Sequence, residues 1–204
     1  MLRKTTVFIF ILLLMSAASF AETEFWSVNT VQVPIKEKLK MNIIPELRFR
    51  DSSGGLYYFQ TYIGPAVTVN KNLEIDAYYA LKYGKNGNSW STYSLWYLDG
   101  ILKDELFSFS MSNRNRLEYD ATPDTLKLRE LVQAKKNGWS VGEELFYDFK
   151  KGLLDEGRST VAYSFGLWKG TELSVGYLLR MQRQTPAADW TWTNALTAGF
   201  KVAL

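Results

Sequence analysis

The stretch Leu106–Tyr119, LFSFSMSNRNRLEY, decides the fold. Taken alternately, Phe107, Phe109, Met111, Asn113, Asn115, Leu117 and Tyr119 form one set. Leu106, Ser108, Ser110, Ser112, Arg114, Arg116 and Glu118 form the other. A strand sends successive side chains to opposite faces, so one face here is mostly apolar with aromatic ends and the other is small, polar and charged. A soluble sheet could place the apolar face on a core. A membrane barrel would place it on lipid and turn the charged face into a lumen. The rest of the chain favours the barrel.

The first residues, MLRKTTVFIFILLLMSAASFA, have the pattern of a secretory leader. Arg3 and Lys4 give a basic start, Val7–Met15 is unbroken apolar sequence, and Ser19 and Ala21 precede a cut before Glu22. The apolar run is shorter than the ~20 residues a spanning helix needs. The expected division is a signal peptide over 1–21 and one barrel domain over 22–204. Beyond the leader no long apolar run occurs, so no spanning helix is expected. Without Arg3 and Lys4 the chain carries 22 basic and 21 acidic residues, a balance that gives no case for nucleic acid. There is no cysteine, so stability must come from burial, a closed sheet, or both. The 12 Tyr, 12 Phe and 7 Trp suit aromatic girdles, although they also suit an aromatic-rich sandwich.

Period-two segments recur along the chain between turn signals. Eleven candidates result: Phe25–Val33, Lys38–Arg50, Leu56–Val69, Leu73–Tyr83, Trp90–Leu98, Leu106–Tyr119, Thr125–Ala134, Trp139–Phe149, Arg158–Trp168, Glu172–Arg183 and Trp190–Leu204. Ile44 breaks the pattern of the second, and Glu143-Glu144 suggests a bulge in the eighth. Asp99–Asp104 reads as a connection. Asn70-Lys71-Asn72, Lys135–Gly138 and Trp168–Thr171 are tight turns. Asp51–Gly55, Gly84–Ser89, Ala121–Asp124, Lys150–Gly157 and Thr185–Asp189 are longer loops. The long loops fall at one end and the tight turns at the other, as outer-membrane barrels sort periplasmic turns from extracellular loops. The last strand alternates Leu196, Ala198, Phe200, Val202 and Leu204, like a barrel-assembly signal that ends in Leu where Phe is usual. The expected fold class is all-β: a single antiparallel transmembrane barrel of about ten to twelve strands. Bacterial barrels have even strand numbers. An even count of ten leaves Phe25–Val33 over, as an odd strand, a lumenal segment, or part of a twelve-stranded barrel.

Trp26, Glu46-Leu47-Arg48, Arg114-Asn115-Arg116-Leu117-Glu118, Glu143–Phe146, Arg158 and Gly176-Tyr177 follow one another in an order that resembles a functionally undefined family of small outer-membrane-type proteins. The resemblance spans nearly all of the chain after the leader and implies fold and location, but no substrate. More distantly, the size and the arginine-rich inner face are similar to small monomeric porins for acidic oligosaccharides, at the level of fold alone.

The chain has no histidine and no cysteine, so Ser-His and Asp-His dyads and zinc sites built on His or Cys are excluded. A carboxylate mechanism using Glu143, Glu144 or Asp76 is the remaining catalytic option, against the simpler reading that lumenal acids pair with arginine. The expectation is no enzyme, no catalytic residue, no metal and no cofactor. The inner faces carry Glu46, Arg48, Arg50, Glu74, Asp76, Lys82, Arg114, Arg116, Glu118, Lys127, Arg129, Arg158, Glu172, Arg180 and Lys201. On lipid an Arg or Lys costs ~2–4 kcal/mol at the midplane, which forces these groups inward in a barrel. Two functions stay open. One is a narrow channel or transport protein for small, anionic solutes, since guanidiniums bind carboxylates and phosphates bidentately. The other is a closed structural or interaction barrel filled by an Arg–Glu network. The expected location is the outer membrane of a Gram-negative-type bacterium. The expected partners are outer-membrane lipid, lipopolysaccharide and the barrel assembly machinery, and no nucleic acid.

Overall fold

A computed structural model describes residues 23–204, and the leader read over 1–21 lies outside them. Twelve strands follow in order: β1 (Thr23–Val28), β2 (Thr30–Lys36), β3 (Leu39–Arg50), β4 (Gly55–Asn70), β5 (Leu73–Asn86), β6 (Ser89–Leu106), β7 (Phe109–Asp120), β8 (Thr125–Lys136), β9 (Trp139–Asp148), β10 (Leu153–Trp168), β11 (Thr171–Gln182) and β12 (Thr191–Ala203). From β2 to β12 each strand pairs antiparallel with the next.

The N-terminal segment closes the sheet. β1 pairs antiparallel with β3 and parallel with β12, and β2 does the same lower down. The register is continuous across the break at Asn29, with Trp26 opposite Arg48 and Val31 opposite Ile43. At the break the Asn29 amide bonds to the Pro45 carbonyl, and the Asn29 side chain accepts from the Phe200 amide. β1 and β2 are thus one interrupted strand, and the closed barrel has eleven positions. Eleven lies within the expected ten to twelve, and of the three readings of Phe25–Val33 the odd strand holds: it joins the two ends of the sheet. Closure leaves no unpaired edge.

All five connections at one end are two residues long, at 37–38, 71–72, 107–108, 137–138 and 169–170. The other end holds 51–54, 87–88, 121–124, 149–152 and 183–190. The sorting of turns from loops is therefore present. The expected loop at Gly84–Ser89 is corrected to a two-residue turn, because β5 and β6 stay paired through Asn86 and Ser89. Asp99–Asp104 is strand, not connection: β6 runs on to Leu106.

The opening stretch is therefore not one strand. Phe107 and Ser108 adopt φ of 48° and 66° and turn the chain between β6 and β7. Two-residue hairpins need positive φ and usually signal it with Asn-Gly. Asn137-Gly138 is such a signal, at φ 52° and 85°, while Phe107-Ser108 carries none. From Phe109 onward the two faces are as the alternation gives them, with Arg114, Arg116 and Glu118 inside and Leu117 and Tyr119 outside.

Glu143-Glu144 is not a bulge. β9 runs in register with β8 and β10 there, so Glu144 is buried inside and Glu143 exposed outside. True irregularities occur elsewhere. One, at Tyr57, turns both Tyr57 and Tyr58 toward the lumen. Another, at Asp155, turns Asp155 and Glu156 inward together inside the expected Lys150–Gly157 loop. Ile44, the exception in β3, faces inward and packs against the cluster of Tyr62, Tyr78, Ala80, Leu95 and Tyr97. The interior thus has an aromatic wall beside its charges, and the outer face is mainly Leu, Ile, Val, Phe and Trp. Among the described residues no helix is long and apolar enough to cross a membrane, which says nothing about a barrel.

Candidate functional site

Among the described residues, a charged lumen is built by side chains from β1 and from β3 to β11. At its loop end Glu24 is almost wholly buried, 1% exposed. It accepts hydrogen bonds from Trp26 Nε1 at 2.6 Å, from the Tyr57 hydroxyl at 2.5 Å and from Arg180 at 3.2 Å, and it pairs with Arg50. The Trp26 ring lies beside three guanidiniums: Arg48 at 3.7 Å, Arg158 at 5.1 Å and Arg180 at 5.3 Å. Arg48 also stacks on Tyr58 at 4.1 Å and pairs with Glu46 at 2.6 Å. Ring faces stabilise desolvated cations, so Trp26 holds these arginines together where their charges repel.

Glu144 is the second hub. It pairs with Arg114 at 2.6 Å, Arg129 at 2.9 Å and Arg158 at 3.4 Å. Arg129 reaches on to Glu118 at 3.0 Å, and Arg158 to Glu156 at 2.5 Å. The Phe146 ring faces both, at 4.4 Å from each guanidinium carbon. Toward the turn end Arg116 grips Asp99 with two bonds of 2.6 Å, lying 4.6 Å over Tyr97. Beyond it Tyr78 donates to Asp76 at 2.7 Å and accepts from Asn42 at 2.9 Å. Last, Glu74 sits between Lys40 at 3.0 Å and Lys103 at 2.9 Å.

Two spaces remain. A chamber of about 160 Å³ is lined by Arg48, Arg129, Arg158, Arg180, Lys82 and Lys127, with Glu118 and Glu156 among them. A vestibule of about 460 Å³ opens at the loop end and shares Tyr58, Lys82, Glu118 and Lys127 with the chamber. Below the chamber the Tyr62, Tyr78 and Tyr97 rings pack with Arg116–Asp99.

Glu46, Arg48, Arg50, Asp76, Arg114, Arg116, Glu118, Arg129, Arg158 and Arg180 all lie on the inner face. Arg48, Arg129, Arg158 and Arg180 meet at the chamber, whereas Asp76 lies toward the turn end and Glu172 and Lys201 stand exposed at the rim. The sequence reading missed Glu24, Asp99, Asp155 and Glu156. Glu24 was legible as the alternate neighbour of Trp26. Asp99 fell in an expected connection, and Asp155 and Glu156 fell in an expected loop. Among the described residues no group of three or more potential ligands is arranged to hold a metal.

A closed antiparallel barrel with a parallel seam, its lumen lined by paired arginines and carboxylates, is the class that fold and site define. The chain belongs to the family of proteins of unknown function designated DUF2490, whose model matches residues 23–191. No curated protein and no solved structure matches it.

Proposed function

We propose that this protein is an integral outer-membrane barrel closed across its lumen, acting as a structural or interaction barrel and not as an enzyme. The observation that carries this reading is the ion-pair network: Glu24 and Glu144 each gather several arginines, and Arg116–Asp99 with its tyrosines packs the level below. Eight strands leave an interior just filled by side chains and sixteen leave a channel. Eleven strands with inward Tyr, Trp and Arg fall near the filled limit. The membrane part of the reading is supported by the leader pattern, the apolar outer face and the end-sorted connections. Fractionation should recover the protein with the outer membrane, with different migration before and after boiling. A soluble periplasmic product would reject it.

A second reading is favoured by one feature: the basic chamber is continuous with the vestibule at the loop end. A small anion could enter there, and a narrow channel would follow if the Arg116–Asp99 level opens. Single-channel recording in planar bilayers separates the two. Silence supports the closed barrel; steps above background with anion preference support the channel.

A further inference from the structure

The outer wall carries a polar patch that lipid does not suit. Asn115 lies opposite Glu130 across the β7–β8 pair, and Glu143 lies opposite Ser159 across the β9–β10 pair. Asn115 donates to Asn113 at 2.6 Å, Asn113 donates to Glu130 at 2.9 Å, and Ser159 donates to Glu143 at 2.9 Å. All five side chains point away from the lumen, near the middle of their strands. Glu130 and Glu143 are exposed, and neither has an ion pair among the described residues. Around them the wall is apolar, with Leu117, Leu128, Val132, Val141 and Leu145. A groove of about 350 Å³, lined in part by Leu102, Met111, Asn113 and Val132, adjoins the patch.

We infer that this patch is an interaction surface within the membrane for a protein partner that presents a Lys or Arg side chain to it. The inference rests on the membrane reading above. A carboxylate against hydrocarbon is unfavourable at mid-depth, so two of them on one wall call for a polar cover. Charge decides which cover. Among the described residues no Lys or Arg points outward in mid-strand, so a second copy brings no base at this height. A two-fold contact centred on the patch would also bring the acids of both copies together. A partner with a basic side chain neutralises both acids, and its apolar flank fits the adjoining groove.

The test uses folded protein in phosphatidylcholine vesicles with a labelled, membrane-spanning Leu-Ala helix bearing one central Lys. A matched helix with central Leu is the control, and energy transfer from the barrel tryptophans is the readout. Several-fold more transfer to the Lys helix is expected, and Glu130→Gln with Glu143→Gln should abolish the difference while keeping heat-modifiable migration. Each single variant should reduce it, which covers a double variant that fails to fold. Equal transfer to both helices, or a difference that survives in the folded variants, overturns the inference. So does self-association of the wild type that the double variant loses, which would name a second copy as the occupant. Failure of the protein to float with the vesicles rejects the membrane reading itself, whereas flotation without a Lys-dependent difference rejects only the partner.

Discussion

Glu143 and Glu144 are adjacent in the chain and face opposite sides of the wall: Glu144 gathers Arg114, Arg129 and Arg158 inside, while Glu143 accepts a single bond from Ser159 outside. Removing a buried partner leaves uncompensated charge, so Glu144→Ala should lower stability by about 3–5 kcal/mol. Glu143→Ala lies on the surface and should stay within about 0.5 kcal/mol in detergent. Urea unfolding followed by tryptophan fluorescence checks both. Equal losses would contradict the face assignment of β9.

Arg114 and Arg116 project into the same lumen but should respond differently. Glu144 keeps Arg129 and Arg158 when Arg114 is removed. Asp99 is 2% exposed and loses both bonds of its bidentate pair when Arg116 is removed. Arg116→Ala should therefore destabilise by about 3–5 kcal/mol and Arg114→Ala by clearly less. The double variant should melt earlier and show no conductance. A shifted reversal potential with unchanged melting would instead support the channel reading.

Val175 lies outward in β11, and Asn86 is exposed at the end of β5. Val175→Arg should cost about 2–4 kcal/mol in a bilayer if the wall faces lipid there, and Asn86→Arg little. Folding yield into vesicles measures the contrast.

The seam depends on Trp26, which is 3% exposed and packs with Leu178 and Ala195. Trp26→Ala should cost about 3–5 kcal/mol by cavity formation alone. It also removes the ring shared by Arg48, Arg158 and Arg180. Loss of the heat-resistant folded band at a lower temperature than in the wild type is the expected readout.

Much of the wall was readable in advance. Glu46, Arg48, Arg114, Arg116, Arg129 and Arg180 could be set inward because side-chain direction in a strand follows a local period of two. Asn137-Gly138 announced its turn because its residues suit positive φ. Phe107-Ser108 did not, and there the pairing of β6 with β7 imposes the turn on residues that do not favour it. The irregularity at Asp155 hid two lumenal acids for a similar reason: it shifts the period by one residue, and nothing local marks the shift.

The sequence by itself determined the alternation, the two faces and the turns that carry a local signal such as Asn137-Gly138, all of which depend on neighbours one or two residues away. Tertiary structure alone decided that the barrel closes on eleven positions, that the seam runs parallel, and which carboxylate each arginine meets. Arg180 reaches Glu24 across 156 residues of chain, and Trp26 finds its place opposite Thr197 only once every intervening strand is in register. Closure and charge pairing are properties of the whole ring, and a period of two carries no information about how many strands the ring will hold.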